Sequence, residues 1–520
     1  MLLDSSWSLD NQKLKENIRT PKEMEQDKKY LCDDSQNKSN CSTPQETPPM
    51  KSVGWTWLLI LAGLASTIGS SIPIGFSIGV LNAPSGLIQK WINGSVIERY
   101  DMVLNSNQMD ILWSSIVSIF LVGGMVGSLS GAWFADNFGR KGTLVIGGVT
   151  MFSTSVMFVL TKPLNSLELF FLGRLVAGLS GGLIMTVVPM YLTELAPIQL
   201  RGAMGTMCPM GISSGVLLAQ ILGLPVFLGT EEIWPYLLGF FGVLVLVGYS
   251  AFPWLPESPK YLYVIRGSRQ GALRELSRLR NLPEEFVCCE LEEKTESTEE
   301  EIWTLRRLMR TRSLWINLAL VCALHFGQQF SGINAVFYYS VTIFRSAGLS
   351  EQNAQLGNLA AGVINLGMGI GMIPTINLFS RRFVTITSCT LATAFLVFLS
   401  FSIRFIHSFT WMPYLSVVGV LGYVLTYGFG LGPIPYFIGT ELFDVGPRPL
   451  GMALGTASNW LGNLTVGFFF PVVQSAIGPY SFLIFATSTA LLTIFVKVCL
   501  VETNVIILAK RQRNSSLSKA

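Results

Sequence analysis

The sequence predicts an all-α membrane protein in which twelve transmembrane helices form two six-helix bundles. Half of the 520 residues are hydrophobic and only 13% are charged, about half the charged fraction of a soluble domain. The hydrophobic residues occur in long blocks, and charged residues near the ends of these blocks repeat at a nearly constant separation. Long uncharged blocks indicate helices that cross a bilayer.

Composition also limits the classes of function. The net charge of +4 is too small to indicate a nucleic-acid partner. The eight cysteines and two histidines show no metal-ligand spacing, so we expect neither a metal nor a cofactor. An enzyme is disfavoured because no nucleophile, base and orienting partner can be grouped, and His325 and His407 fall in different helical regions.

In chain order, residues 1–53 are too polar to bury a core and are predicted to form a disordered cytosolic tail. A six-helix bundle is predicted over 54–254, a charged cytosolic helical linker over 255–313, a second bundle over 314–500 and a cytosolic tail over 501–520. The predicted spans centre near 55–80, 110–134, 143–161, 168–191, 203–225 and 234–254, then 314–344, 354–379, 382–404, 411–440, 448–474 and 480–500.

The placement of Lys and Arg predicts the orientation. Arg140, Arg201, the linker, Arg381 and Arg448 all fall on one side if twelve spans alternate, and the positive-inside rule makes that side cytosolic. Both termini are then cytosolic, in a multi-pass protein of the plasma membrane. The loop after the first span lies outside and carries the glycosylation sequon at Asn93.

Charged residues at the span ends repeat between the two halves at separations of 241 to 247 residues. Glu194 precedes Arg201 by seven residues, for example, and Glu441 precedes Arg448 by the same interval. The repetition predicts two bundles related by an axis along the membrane normal. We expect ion pairs that latch the bundles on the cytosolic side while the outer side is open. The residues predicted to form this gate are Arg140, Glu194, Arg201, Glu257, Arg381, Glu441 and Arg448.

The seventh predicted span carries a concentration of neutral polar side chains. His325, Gln328 and Gln329 share one helix face by their spacing, whereas Asn334 lies well round the helix. A kink at Ser331–Gly332 would bring Asn334 and the glutamines onto one cavity. A cavity lined by amides and hydroxyls suits a neutral polyol better than an ion or a lipid. The alternative is that such amides only hydrogen-bond neighbouring helices.

Several segments resemble the sugar porters of the major facilitator superfamily and, within them, the facilitative glucose transporters of animals. They are residues 131–141, 173–174, 189–202, 256–260, 328–339, 432–437, 446–449 and 458–463, and the resemblance extends over roughly 54–504. It implies the major facilitator fold, with a hexose site between the halves and Asn82 near the outer mouth. The residues that it implies for sugar binding are Gln220, Gln328, Gln329, Asn334, Asn365, Tyr436 and Asn463.

The chain departs from the family pattern at several positions. Pro209 stands where glucose transporters have a glutamine on the fifth helix, and it introduces a helix breaker. Tyr436 replaces a tryptophan beside the sugar, and Gly428 replaces a glutamate on the same helix. Asn377 and Ser380 replace an acid and a glycine in the loop between the eighth and ninth spans. These changes leave open which hexose is carried.

Three functions are consistent with the sequence. The first is facilitated diffusion of a hexose such as glucose or fructose by alternating access, for which a monomer would suffice, with the oligomeric state open. The second is proton-coupled symport, which is weakened because the first span, residues 55–81, contains no Asp, Glu or His. The third is a sugar sensor that does not transport.

Overall fold

The computed structural model describes residues 54–292, 303–346, 348, 350–376, 378–406 and 408–503, and their regular structure is entirely helical. The predictions for the tail at 1–53, for His407 and for Asn377 fall outside the described residues, as does the chain beyond residue 503. The described residues from Trp55 onward form one compact unit.

The described helices form twelve spans, numbered here in chain order. Spans 1 to 6 are Trp57–Ser66 with Ile72–Gly79, residues 106–138, residues 140–161, Leu167–Leu195, Arg201–Leu222, and Trp234–Gly239 with Phe241–Ser250. Spans 7 to 12 are Trp315–Phe330 with Ile333–Ser346, Glu351–Thr375, Arg381–Arg404, Met412–Phe429 with Ile434–Leu442, Arg448–Ile477 and Ser481–Cys499. Shorter helices lie between spans at Ser85–Tyr100, Pro259–Val264, Arg269–Arg280, Glu284–Glu292 and Leu305–Arg310.

Nine helices within the described residues are long and apolar enough to cross a membrane by length and composition. One of them, Ser106–Thr161, contains spans 2 and 3, because Gly139 interrupts it with φ 80° and ψ 172°. Ten of the twelve spans are thereby accounted for, and the other two are span 7, which is divided into two helices, and the long helix of span 11. The number of spans therefore agrees with the sequence prediction.

Glycines allow spans 2 and 4 to approach closely. A Cβ added at Gly127 would overlap the Leu179 carbonyl of span 4, and one added at Gly182 would overlap the Gly124 carbonyl of span 2. Small residues permit such contact between membrane helices, where dispersion forces replace the hydrophobic effect as the main attraction. Spans 2 and 4 are therefore in close backbone contact within the first half.

Two apolar cores organise the described spans, one built mainly from spans 1 to 6 and the other from spans 7 to 12, and a third, small core lies in the linker helices. Trp460 of span 11 joins the first core and packs edge-on against Phe120 of span 2, with the ring centroids 5.4 Å apart. The two halves are therefore in direct apolar contact.

Exposed aromatic side chains mark both ends of the spans. At the end that carries Arg140 and Arg381, called the charged end from here on, these are Trp57, Trp133, Trp254 and Trp315. At the opposite end they are Tyr236, Trp411, Tyr414 and Tyr480. Trp and Tyr favour the boundary between hydrocarbon and headgroups, so the two belts outline a membrane-spanning slab.

Candidate functional site

The polar stretch of span 7 contains the break that its sequence predicts. The first helix ends at Phe330, the second begins at Ile333, and Gly332 between them has φ +81°. The Ser331 hydroxyl donates to the Gln328 carbonyl at 2.6 Å, and the Tyr423 hydroxyl of span 10 donates to the Ser331 carbonyl at 2.8 Å. These bonds satisfy backbone groups that the break leaves free, so the predicted kink is confirmed as a defined structure.

Five carboxamides form a continuous hydrogen-bonded chain at this break. The Asn459 amide donates to Gln328 Oε1 at 2.6 Å, and the Gln329 amide donates to Asn459 Oδ1 at 3.1 Å. The Asn334 amide then donates to Gln329 Oε1 and to Asn463 Oδ1, both at 2.9 Å. Gln328, Gln329, Asn334, Asn459 and Asn463 are called the amide cluster below.

Gln328 fixes one end of the amide cluster to span 10. Its Nε2 donates to the carbonyls of Leu431 at 3.0 Å and Gly432 at 2.7 Å, in the turn between the two helices of that span. Gln328 is 1% exposed, whereas Asn334 is partly exposed. The cluster thus runs from a buried anchor to an accessible amide and offers neutral donors and acceptors throughout.

Sequence reasoning placed Gln328, Gln329, Asn334 and Asn463 in one site, and the structure brings these four together. It adds Asn459, which bonds to both glutamines. The signal was present, because Asn459 and Asn463 are four residues apart and share one face of span 11.

The other three residues predicted for sugar binding make no hydrogen bond to the amide cluster within the described chain. Asn365 of span 8 donates to Ser213 Oγ of span 5 at 3.2 Å, which joins the two halves. Gln220 of span 5 has a buried Oε1 that lacks a hydrogen-bond partner within the described chain. Tyr436 of span 10 packs edge-on against His325, with the ring centroids 5.7 Å apart.

Two neighbouring positions show how the departures from the family pattern are accommodated. The helix of span 5 continues from Arg201 to Leu222 through Pro209, so the expected helix breaker does not end it. A Cβ added at Gly428 of span 10 would lie 3.2 Å from Asn365 Oδ1. The absence of a side chain at Gly428 therefore leaves room for Asn365.

At the charged end, the buried carboxylate of Glu194 is the centre of the ion pairs of the first half. Arg140 Nε lies 3.1 Å from one oxygen, and the Ser258 hydroxyl donates to the same oxygen at 2.5 Å. Arg448 Nη1, from the second half, lies 3.0 Å from the other oxygen. Glu194 thereby receives one arginine from each half.

The second half repeats the local arrangement. Arg381 pairs with Glu441 at 3.2 Å, and the Thr503 hydroxyl donates to the other Glu441 oxygen at 2.5 Å. Glu502 accepts the Arg381 N–H at the start of span 9 and also bonds to Ser380. The repeat seen in the sequence therefore extends to individual hydrogen bonds.

Glu257 corresponds to Glu502 in the first half. Its carboxylate accepts the N–H groups of Arg140 and Lys141 at 3.1 Å and that of Ser258 at 2.8 Å, which caps span 3. Burial raises the pKa of Glu257, against the opposing effect of the N–H groups of Ser258 and Lys141. An added Cβ at Gly139 would overlap this carboxylate, which explains the glycine there.

Arg201 differs from the other predicted gate residues. It lies at the charged end, but its buried Nε has no hydrogen-bond partner within the described residues, and no ion pair there includes it. Arg381 and Thr503 occupy Glu441, the acid that symmetry would offer to Arg201. The halves are thus joined here by Arg448 and Glu194, without the symmetric second pair.

The linker helices dock beneath the first half. Arg280 donates to the Leu195 carbonyl at the end of span 4 at 2.9 Å and pairs with Glu290 at 2.7 Å. Burial favours a higher pKa for Glu290, but the hydrogen bond and charge of Arg280 outweigh it and lower the pKa.

Asn93 lies on the Ser85–Tyr100 helix at the end opposite the charged end. It is partly buried, and the Ser95 hydroxyl of the sequon donates to the Asn165 carbonyl at 3.4 Å. Glycosylation of Asn93 stays a prediction.

Comparison with known proteins gives consistent similarities. A family profile described as "Sugar (and other) transporter" matches residues 62–514. The mouse protein named "Solute carrier family 2, facilitated glucose transporter member 5" is 35% identical over 455 residues, which cover 86% of this chain and 90% of that protein. Rat member 3 of the same solute carrier family is 36% identical over 449 residues, with the same two coverages.

Solved structures of the proton:xylose symporter XylE share the fold. The form bound to 6-bromo-6-deoxy-D-glucose gives a TM-score of 0.72 at 22% identity, over 86% of this chain and 96% of that one. The inward-open form of XylE from E. coli gives 0.62 at 21% identity, over 86% of this chain and 97% of that one. The predicted major facilitator fold is thereby confirmed.

Proposed function

This chain belongs to the sugar transporter family, and on that premise we propose that it carries a hexose by facilitated diffusion with alternating access. The resemblance noted from the sequence motifs is confirmed by the family match over 62–514 and by the solute carrier relatives. The chain is a multi-pass membrane transporter and not an enzyme.

The amide cluster is the observation that carries this proposal. Its donors and acceptors bond to one another through Asn459 and Asn334. A sugar hydroxyl can therefore take the place of one amide in an existing hydrogen bond. Such an exchange costs little net free energy, because a hydrogen bond is lost and one of the same kind is formed. Neutral amides therefore suit a sugar with several hydroxyls, such as glucose or fructose.

The resemblance and the position of the remaining polar residues extend the proposed site. Asn365, Gln220 and Tyr436 are proposed to line the path between the halves, because Asn365 already bonds across the halves to Ser213. They would contact the sugar when the halves change their separation.

We propose that the charged end faces the cytosol of a plasma-membrane protein, with both termini on that side. On this proposal, the ion pair between Arg448 and Glu194 would close the cytosolic path between the bundles at 54–254 and 314–500. Rocking of the bundles would break this pair and expose the amide cluster to the cytosol. Arg140 also pairs with Glu194, and Glu257 accepts the Arg140 N–H. Arg381 and Glu441 form the equivalent pair in the second half. These contacts support the proposal that all four are gate residues.

We propose uniport over proton symport because span 1 contributes no acidic side chain to its contact with span 4. Arg174 of span 4 donates to the Ser77 carbonyl at 2.9 Å and lies over the Phe120 ring, 4.3 Å from its centroid. A proton relay requires a titratable group. Span 1 offers Ser77 here, and its sequence from 55 to 81 contains no Asp, Glu or His.

A panel of radiolabelled sugars in proteoliposomes, run with and without an inward proton gradient, tests the proposal. Uptake of one or more hexoses that is insensitive to the gradient is the expected result. Proton flux that follows sugar flux would instead identify a symporter. Sugar binding without flux would identify a sensor.

A further inference from the structure

The stretch that enters span 7 from the linker has a composition unlike the rest of the linker. Residues 303–316, called the juxtamembrane segment below, contain four arginines and no acid. The segment includes the helix Leu305–Arg310 and ends in the first turn of span 7, which begins at Trp315. Trp315 belongs to the aromatic belt of the charged end, so the segment lies at the level of the membrane surface.

Two sides of the Leu305–Arg310 helix are fixed by the protein. Leu308 is fully buried in the core of the second half, and Arg307 lies 4.6 Å over the ring of Trp303. Trp303 in turn packs against the loop between spans 10 and 11, where a Cβ added at Gly446 would lie 2.7 Å from Trp303 Nε1. The helix therefore has one defined orientation.

The remaining sides form an amphipathic surface. Leu305 and Met309, four residues apart, are 52% and 50% exposed and form one stripe. Arg306 and Arg310, also four residues apart, are exposed and form the adjacent stripe. Exposed apolar and cationic stripes side by side are the arrangement of a helix that lies in the bilayer interface.

We propose that the juxtamembrane segment binds anionic phospholipid headgroups of the leaflet at the charged end. Leu305 and Met309 insert at the boundary between the headgroups and the acyl chains. The headgroup phosphates and carboxylates are contacted by Arg306, Arg310 and Arg312. Charge complementarity selects the lipid, because each arginine near an anionic surface contributes an attraction that a zwitterionic surface does not supply. The glutamates at 299–301 precede the segment in sequence and lie outside the described residues.

Thermal unfolding of the purified full-length protein in detergent tests this binding without any use of sugar. Phosphatidylserine should raise the Tm of the natural protein more than phosphatidylcholine does. In R306Q/R310Q the response to phosphatidylcholine should be unchanged, while half of the phosphatidylserine effect should require about 30-fold more lipid. R306K/R310K, which keeps both charges, should retain most of the phosphatidylserine response, and the unchanged phosphatidylcholine response of R306Q/R310Q shows that the glutamine variant is folded.

R269Q/R274Q is the matched control, because it removes two exposed arginines from the linker helix Arg269–Arg280 at the same end. It should respond to both lipids as the natural protein does. Equal Tm shifts with the two lipids would overturn the proposal. An undiminished phosphatidylserine response in R306Q/R310Q, or an equal loss in R269Q/R274Q, would overturn it as well. None of these outcomes depends on whether a hexose is carried.

Discussion

Gln328 is the residue on which the proposed sugar site depends most, because its side chain connects three elements. It belongs to span 7, donates to the Leu431 and Gly432 carbonyls of span 10 and accepts from Asn459 of span 11. Leu431 and Asn459 are buried and Gly432 is partly buried, so losing the Gln328 amide would leave several polar groups without a hydrogen bond.

We predict that Gln328→Leu abolishes or greatly weakens sugar uptake while surface expression remains. Leucine keeps a similar volume but leaves buried partners unpaired, at a cost of about 1–3 kcal/mol for each group. Uptake and surface labelling in the same cells measure the effect. Gln270→Leu, on the exposed face of the linker, is the control and should transport normally. Normal uptake by a well-expressed Gln328→Leu protein would remove Gln328 from the site.

Asn459 should be coupled energetically to Gln328, because the two side chains share a bond of 2.6 Å. Asn459→Leu alone should weaken uptake about as much as Gln328→Leu. The double variant should lose less than the two single losses combined, since the shared bond is lost only once. A double-mutant cycle on the apparent sugar affinity checks this prediction, and strictly additive losses would show that the amides act separately.

The site shows where sequence reasoning succeeded and where it stopped. Spacing and the Ser331–Gly332 step were sufficient to associate Gln328, Gln329 and Asn334, because a broken helix has few ways to place them. Asn459 required knowledge of which face of span 11 meets span 7, and that face is determined by packing between distant segments. Arg201 was grouped with the gate by symmetry, but within the described residues its Nε has no hydrogen-bond partner, and Arg448 is the one of the two symmetric arginines that pairs across the halves.

At the scale of the element, the break in span 7 determines the geometry of the amide cluster. Gly332 has φ +81°, a region that L side chains rarely adopt, and the next helix begins immediately after it at Ile333. A straight helix would turn Asn334 away from Gln329, to which it now donates at 2.9 Å. Hydropathy predicted the spans well because long apolar blocks dominate them. The π-helical turn at Thr67–Ser71 in span 1 carries no comparable signal and was not predicted.

We predict that Gly332→Ala lowers both the Tm and sugar uptake. The positive φ costs about 1–2 kcal/mol for an L residue, and the new Cβ would also overlap the Phe485 ring of span 12. Gly348 is the matched control, because it also has φ +81° but an added Cβ there would have no neighbour within 4 Å among the described residues. Gly348→Ala should therefore lower the Tm less and leave uptake intact. Equal effects of the two variants would show that the contact with span 12 is unimportant.

At the scale of the whole molecule, the two halves meet differently in the middle and at the charged end. Apolar and amide contacts join them in the middle, through Trp460 with Phe120 and Asn365 with Ser213. At the charged end they are joined by the ion pair between Arg448 and Glu194, which is buried. Apolar contacts tolerate sliding, whereas an ion pair is either made or broken, so the pair is suited to separate two discrete states.

We predict that Arg448→Gln shifts the population toward the form that is open at the charged end. A hydrogen bond to a charged group contributes about 1.5–3 kcal/mol, so its loss corresponds to a shift of about 10- to 100-fold. Cys208 of span 5 reports the change, because it is fully buried one turn after Gly205, where span 5 packs against Phe437 of span 10. With the other cysteines replaced by serine, Cys208 should react faster with a maleimide added from the side of the charged end.

Arg381→Gln is the control that distinguishes opening of the two halves from general disruption of the charged end. Arg381 also pairs with a glutamate there, at 3.2 Å, but its partner Glu441 belongs to the same half. Its loss should lower the Tm without a comparable increase in Cys208 labelling, because the contact between Arg448 and Glu194 is kept. If the two variants label equally fast, the pair between the halves does not hold the charged end closed. If only Arg448→Gln is labelled faster, a single ion pair between the halves controls access from the charged end. The repeat in the sequence nevertheless provides the charged residues for two such ion pairs.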